Sequence, residues 1–219
     1  DFRLGDEAEQ LRHDIQLFLD DLLTDDVEAE IYRSGVSHHP GYVSGMIEHG
    51  WFAGNWSKEL GGAGLDPTSQ MVVQEELGRR EAPMNASSVS TMVAKALRAH
   101  GTDQMRSEIV PSILRGETIC VLGFTEPECG SDVANAQTRA VRDGDHWVIN
   151  GSKMFTTNAH IGDYVYLLTR SNVEVSKHRG LTTFLVPLDD PGIEVQAVYT
   201  LSGERTNIVY LNDVRVADA

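Results

Sequence analysis

The sequence is poor in the residues that mark several protein classes. Of 219 residues only two are cysteine, Cys120 and Cys129. Their spacing fits neither a CxxC redox pair nor a zinc site, and one possible bridge is no disulfide framework, so both read as reduced thiols. No run of about 18 apolar residues occurs, so no membrane-spanning segment is expected. The first residues, Asp1 to Asp6, lack the basic and then apolar stretch of a secretory signal, and there is no initiator Met, which reads as a processed or truncated start. Basic residues are also scarce: 18 Lys and Arg against 33 Asp and Glu give a formal net charge of −15. Such a field repels phosphate backbones and anionic lipid, so neither nucleic acid nor membrane is an expected partner. An anionic ligand would need a local pocket of amides or cations.

What is present divides into two periods. The first half repeats apolar residues at helical spacing: Leu11, Ile15, Phe18, Leu19 and Leu22; then Tyr42, Val43, Met46 and Ile47, stopping at Gly50; then Val89, Met92, Val93, Ala96 and Leu97, stopping at Gly101. Asp66-Pro67 reads as a cap and first residue ahead of SQMVVQEELGRR, and a further short helix fits 102–115, ended by Gly116. Asp20-Asp21 and Asp25-Asp26 read as a solvated helix end. From about Glu117 the period changes to two. Strands are expected over 117–124, 136–141, 146–149, 152–157, 164–169, 181–186, 193–198 and 208–211, with turns at Asp143-Gly144 and Asn150-Gly151. The fold class is therefore α+β, an all-helical domain over 1–118 followed by a mostly antiparallel β-barrel or sandwich over 119–219.

Three stretches are candidates for chemistry. GWFAGNWSKELGGAGLDP (50–67) is glycine-rich, but it lacks the strand-to-helix context of a phosphate loop and reads as a tight turn needing positive φ. GFTEPECGSD (123–132) follows a strand and places hydroxyls, exposed amides and a stiffening Pro127 in one sharp loop, suited to holding carbonyl or phosphate oxygens, although a plain β-turn is the default reading. KMFTT (153–157) places Phe155 where it can lie beside a planar ring. If these residues are a strand, Thr157 projects to the same side. His13, His38-His39 and His178 read as solvated, and Cys129 as a small filler. No metal site is expected.

Together and in this order, TEPxxGSD followed by NGxKxFTTNA resembles the acyl-CoA dehydrogenase family. GWxxxxWxxxxGGxGLxP, EELGR (75–79), HGT (100–102), IVPSILRGE, RGLTTFLVPLDDPGIEV and GERTNIVYLNDVRV extend the resemblance over the whole chain. The resemblance implies that FAD is bound by Leu122, Gly123, Phe124, Thr125, Gly130 and Ser131, and by Phe155, Thr156 and Thr157. It also implies that Ser131 touches the CoA part of an acyl-CoA substrate. Phe155 stands where the family often has Trp, keeping a stacking face without the indole donor. Glu126 is implied to be structural. Val216-Ala217 replaces the family's Val-Pro, which should loosen the exit from the β-domain.

The activity implied is α,β-dehydrogenation of an acyl-CoA thioester, with electrons passed to an electron-transferring flavoprotein by a homo- or hetero-oligomer. The expected compartment is the cytoplasm, or the mitochondrial matrix in a eukaryote. In the family the catalytic Glu comes from a C-terminal helical bundle that residues 1–219 do not include, so this segment alone is expected to be inactive. Two other readings stay open: an oxygen-using relative (an acyl-CoA oxidase or flavin monooxygenase), and a non-catalytic subunit that needs a complete partner. GERTN (203–207) resembles bacterial members acting on bulky or unusual acyl groups.

Overall fold

A computed structural model describes residues 4–218. It contains two compact units, Asp1–Glu117 and Thr118–Ala219.

The first unit is helical. Helix α1 (Asp6–Leu22) turns Ile15 and Leu19 fully inward, and α4 (Pro67–Arg79) does the same with Val72, Val73 and Leu77. Beside them lie α2 (Asp25–Ser34), α3 (Pro40–Glu48) and α5 (Asn85–His100), while a π-helical turn (Met105–Ile109) runs into α6 (Val110–Leu114). Charge also joins α1 to α4. Glu76, nearly buried, accepts from Arg12 and from Gln16 Nε2 at 2.9 Å, and Arg12 reaches Glu75 at 2.8 Å. The EELGR stretch is thus a helix-packing feature.

Caps follow the sequence closely. Asp66 accepts from the amides of Thr68 and Ser69 at 2.9 and 3.2 Å and pre-organises α4, with Pro67 at its first position. In the glycine-rich 50–67 stretch, Gly50, Gly61 and Gly64 take positive φ, as a tight turn requires. Gly101 ends α5 by a different route. Its φ of −71° is ordinary, but a Cβ there would lie 2.5 Å from the carbonyl oxygen of Leu97. Asp25 and Asp26 are exposed at a helix end, as expected, and form the acidic first turn of α2, where they complement the helix dipole. One expectation fails here. His38 and His39 are half-buried rather than solvated, and burial, with help from His39, lowers the pKa of His38. His13 and His178 are exposed.

The second unit is one curled, mixed sheet of seven strands, a half-barrel. Its strands are β1 (Cys120–Gly123), β2 (Arg139–Asp143), β3 (His146–Lys153), β4 (Tyr164–Arg170), β5 (Leu181–Pro187), β6 (Ile193–Tyr199) and β7 (Arg205–Ala217). The β2–β3, β3–β7, β6–β7 and β4–β5 pairs are antiparallel, and β1 runs parallel to β4. Val121, Ile149, Val165, Leu167, Val186, Val209 and Leu211 fill the core.

The sheet corrects three local expectations. Asn150-Gly151 is no turn: β3 continues through it, with a register shift against β7 between Ile149 and Gly151, the mark of a β-bulge. Gly151 has φ 150°, and a Cβ there would meet Thr138 at 2.7 Å. Ala217 does not loosen the exit, because β7 keeps pairing as far as His146↔Ala217. Finally, the strand expected over 152–157 stops at Lys153, and Phe155 to Thr157 form a turn.

Candidate functional site: the loop after β1 and the turn after β3

Two irregular segments of the second unit meet at their backbones: Met154 N donates to the carbonyl oxygen of Thr125 at 2.8 Å. Each is built by its own local rule.

The loop leaves β1 at Gly123. A Cβ there would come within 2.7 Å of Val165 and 3.0 Å of Leu167, so glycine permits the close approach of β1 to β4. Leu122 lies opposite Tyr166, and the half-buried Phe124 ring sits 5.9 Å from the Tyr166 ring. Glu126 and Cys129 then close a β-turn, exchanging bonds of 2.9 and 3.2 Å around Pro127 at its favoured second position. Beyond it, Gly130 and Ser131 are exposed, with open space where a Gly130 Cβ would stand. Arg170, at the end of β4, ties down the following residues by donating to the carbonyls of Ala134 (2.5 Å) and Ala136 (3.3 Å). Cys129 packs with Ala136, Leu168 and Phe124, a filler as expected.

Beneath the loop lies a buried ion pair. Lys153, fully buried, places Nζ 2.7 Å from Glu126 Oε1 and 3.4 Å from the Phe124 carbonyl oxygen. The carboxylate of Glu126 also accepts from the amides of Gln137 (2.6 Å) and Thr138 (2.9 Å). Burial alone would raise the Glu126 pKa. The Lys153 bond and these amides outweigh it, so the group is held below the ordinary carboxylate range. The same burial pulls Lys153 below the ordinary lysine value against the opposing pull of Glu126. A carboxylate with its acceptor sites filled and its proton affinity lowered is a poor base. Glu126 is therefore structural, while Lys153, unnoticed in the sequence, is its buried partner.

The turn after β3 is strained and half bare. Phe155 has φ 57°, a left-handed value that costs a bulky residue about 1–2 kcal/mol, and Asn158 has φ 63°, which asparagine tolerates. The Phe155 side chain is 59% exposed, Thr157 is half-buried, and Thr156 is fully buried. Because this is a turn, the strand alternation expected to place Phe155 and Thr157 on one side does not apply. Here Thr157 N bonds to the Phe155 carbonyl oxygen at 3.0 Å, and the Thr157 hydroxyl reaches Thr206 Oγ1 at 3.2 Å. The Thr156 hydroxyl and His160 Nε2 are buried and form no hydrogen bond.

The structure thus brings Thr125 and the 154–157 turn into direct contact. Leu122, Gly123 and Phe124 lie in the strand leading to that contact, and Gly130 and Ser131 stay on the exposed limb of the loop. Residues of β7 that the sequence reading did not place at the site, Arg205, Thr206 and Asn207, lie directly behind the turn. The clue was the polar RTN triplet directly ahead of the apolar run Ile208 to Leu211.

Residues 5–117 match the model of the acyl-CoA dehydrogenase N-terminal domain, and residues 121–214 match that of the acyl-CoA dehydrogenase middle domain. The chain belongs to the acyl-CoA dehydrogenase family. It is 37% identical over 217 residues to acyl-CoA dehydrogenase FadE29 of Mycobacterium tuberculosis, covering 97% of this chain and 55% of that protein. Among solved structures it resembles the Tcur3481-Tcur3483 steroid ACAD (TM-score 0.90, 33% identity, 100% of this chain and 57% of that one). It also resembles the ChsE4-ChsE5 complex from Mycobacterium tuberculosis (TM-score 0.86, 33% identity, 100% and 56%). The chain therefore spans little more than half the length of these relatives.

Proposed function

We propose that this polypeptide supplies the cofactor-binding wall of an FAD-dependent acyl-CoA dehydrogenase. In this reading residues 1–118 form a helical domain and 119–219 a β-domain. The observation that carries the proposal is the Phe155 turn, an exposed aromatic face held in costly backbone geometry beside the Thr125 loop. A fold retains such a feature where something flat covers it. The residues present fit an isoalloxazine ring: Phe155 for its face, Thr157 for its edge, and the Leu122–Thr125 backbone and hydroxyl beside them. Gly130 and Ser131 offer an open amide and hydroxyl for the more polar parts of FAD, and Ser131 also for the CoA moiety.

When bound, FAD supplies the acceptor for the hydride leaving the acyl β-carbon. Phe155 fixes the plane against which the acyl chain is aligned, and Thr157 offers a hydrogen bond at the ring edge. No base for the α-proton is assigned among residues 1–219. The buried carboxylates among the described residues are Glu76 and Glu126, and both are already committed to ion pairs. The base is therefore proposed to come from outside this segment. The similarity to a steroid ACAD supports a bulky acyl group, and an electron-transferring flavoprotein is proposed as the acceptor.

FAD titration of the full-length protein tests this. Phe155→Ala and Thr157→Val should each weaken binding or shift the flavin spectrum. Wild-type affinity and spectrum in both variants would remove the assignment.

A further inference from the structure

The GERTN stretch (203–207) meets the Phe155 turn through Asn207. Asn207 is fully buried. Its backbone oxygen accepts from Thr156 N at 2.9 Å, and its side-chain Nδ2 donates to the Thr156 carbonyl oxygen at 3.0 Å. The Thr156 N–H belongs to the peptide plane that follows Phe155, and the Thr156 carbonyl to the next plane. Asn207 thus fixes two successive peptide planes just after the strained residue. The exposed Phe155 ring has little packing of its own to hold it. Arg205 Nε donates to Asn207 Oδ1 at 3.0 Å, and this assigns the amide orientation with Nδ2 toward Thr156. Nδ2 also lies 3.2 Å from His160 Nδ1, which then accepts and carries its proton on Nε2.

We propose that Asn207 is a positioning residue that sets the angle at which Phe155 presents its ring to the cofactor. The role needs a donor and an acceptor on one planar head; an ionised Asp lacks the donor, and an aliphatic residue lacks both. It rests on the flavin reading given above.

The test is a double-mutant cycle in the full-length protein, read by FAD affinity and by amide exchange of the FAD-free form. Asn207→Ala should weaken FAD by about tenfold, equivalent to 1.4 kcal/mol, and speed exchange at Thr156. Asn207→Asp keeps the Arg205 contact but faces an oxygen to the Thr156 carbonyl. It should reproduce both effects, and it decides alone if Asn207→Ala fails to fold. In a Phe155→Ala background either change should add less than about twofold, because the ring it positions is gone. Equal losses in both backgrounds would overturn the positioning role and leave a general structural one. Near-wild-type affinity in both Asn207 variants, with Phe155→Ala impaired, would overturn it while sparing the flavin reading. Unimpaired binding by Phe155→Ala would remove the flavin reading itself, and the inference with it.

Discussion

Replacing Lys153 with Met should destabilise the β-unit far more than an ordinary surface substitution. Lys153 is fully buried and Glu126 is 5% exposed, so removing the ammonium leaves a carboxylate inside the protein with uncharged partners alone, chiefly the amides of Gln137 and Thr138 and the Thr138 side chain. Breaking a buried pair from one side costs about 3–5 kcal/mol. The two remaining amides put Lys153→Met at the lower end. Glu126→Gln belongs in the same range, because Lys153 is left with only the Phe124 carbonyl, 3.4 Å away, and an uncharged amide, and must stay unpaired or give up its proton. For a unit of about 100 residues each kcal/mol moves the melting temperature by roughly 4–8 °C, so both variants should lose more than ten degrees. The double variant removes both charges and should lose at least about 2 kcal/mol less than the sum of the singles.

Acid dependence follows from the Glu126 shift. Its folded value lies below its unfolded value, so its contribution is present above the unfolded value and is lost as pH falls through the folded one. Lys153→Met withdraws the main influence lowering that value, so the acid transition should move to higher pH. Unfolding can be followed through Trp147, the only tryptophan of residues 118–219, with Trp51 and Trp56 changed to Phe. Single-variant losses below about 1 kcal/mol, or strict additivity in the double, would refute the reasoning.

Other outcomes follow from the same geometry. Gly151→Ala should cost about 2 kcal/mol or more, since alanine must adopt φ 150° while its Cβ meets Thr138; thermal melting checks this. Arg12→Ala should cost the helical unit about 1–3 kcal/mol, the range for lost hydrogen bonds to a buried charged group such as Glu76. Burial pushes the Cys120 thiol up to about 12 and also raises that of Cys129, so neither should react with a disulfide reagent at pH 8 until the chain is unfolded. Phe155→Ala should leave stability nearly unchanged, because the ring is 59% exposed, and so separate its binding role from folding.

How much was legible depended on whether the signal was local. The stripe through Ile15 and Leu19, the Asp66-Pro67 start and the Asp143-Gly144 hairpin each follow from a few neighbouring residues, and all appear in the structure. Helix α2 was missed because its apolar residues, Val27 and Ile31, make too short a stripe, and Asp25-Asp26 reads equally as an end or a beginning. Asn150-Gly151 has a turn's composition, yet pairing with β7 on the far side converts it to a bulge, which depends on residues sixty positions away. The candidate site divides in the same way. Thr125, Phe155 and Thr157 were legible as motifs. Their true relation was not, because it depends on left-handed backbone at Phe155, on Lys153 beneath the loop and on Asn207 behind the turn. The last two are long-range contacts that no window of sequence contains, and nothing in KMFTT marks the first.

On the proposed function, residues 1–219 build the flavin wall and leave the base to another segment. The direct measurement uses a polypeptide of these residues, checked for native far-UV circular dichroism. It is loaded with FAD and mixed anaerobically with a panel of acyl-CoA esters, including bulky ring-bearing ones. The expected result is a bound-flavin spectrum that no ester bleaches. Rapid stoichiometric bleaching by any of them would place a competent base within residues 1–219 and contradict the account.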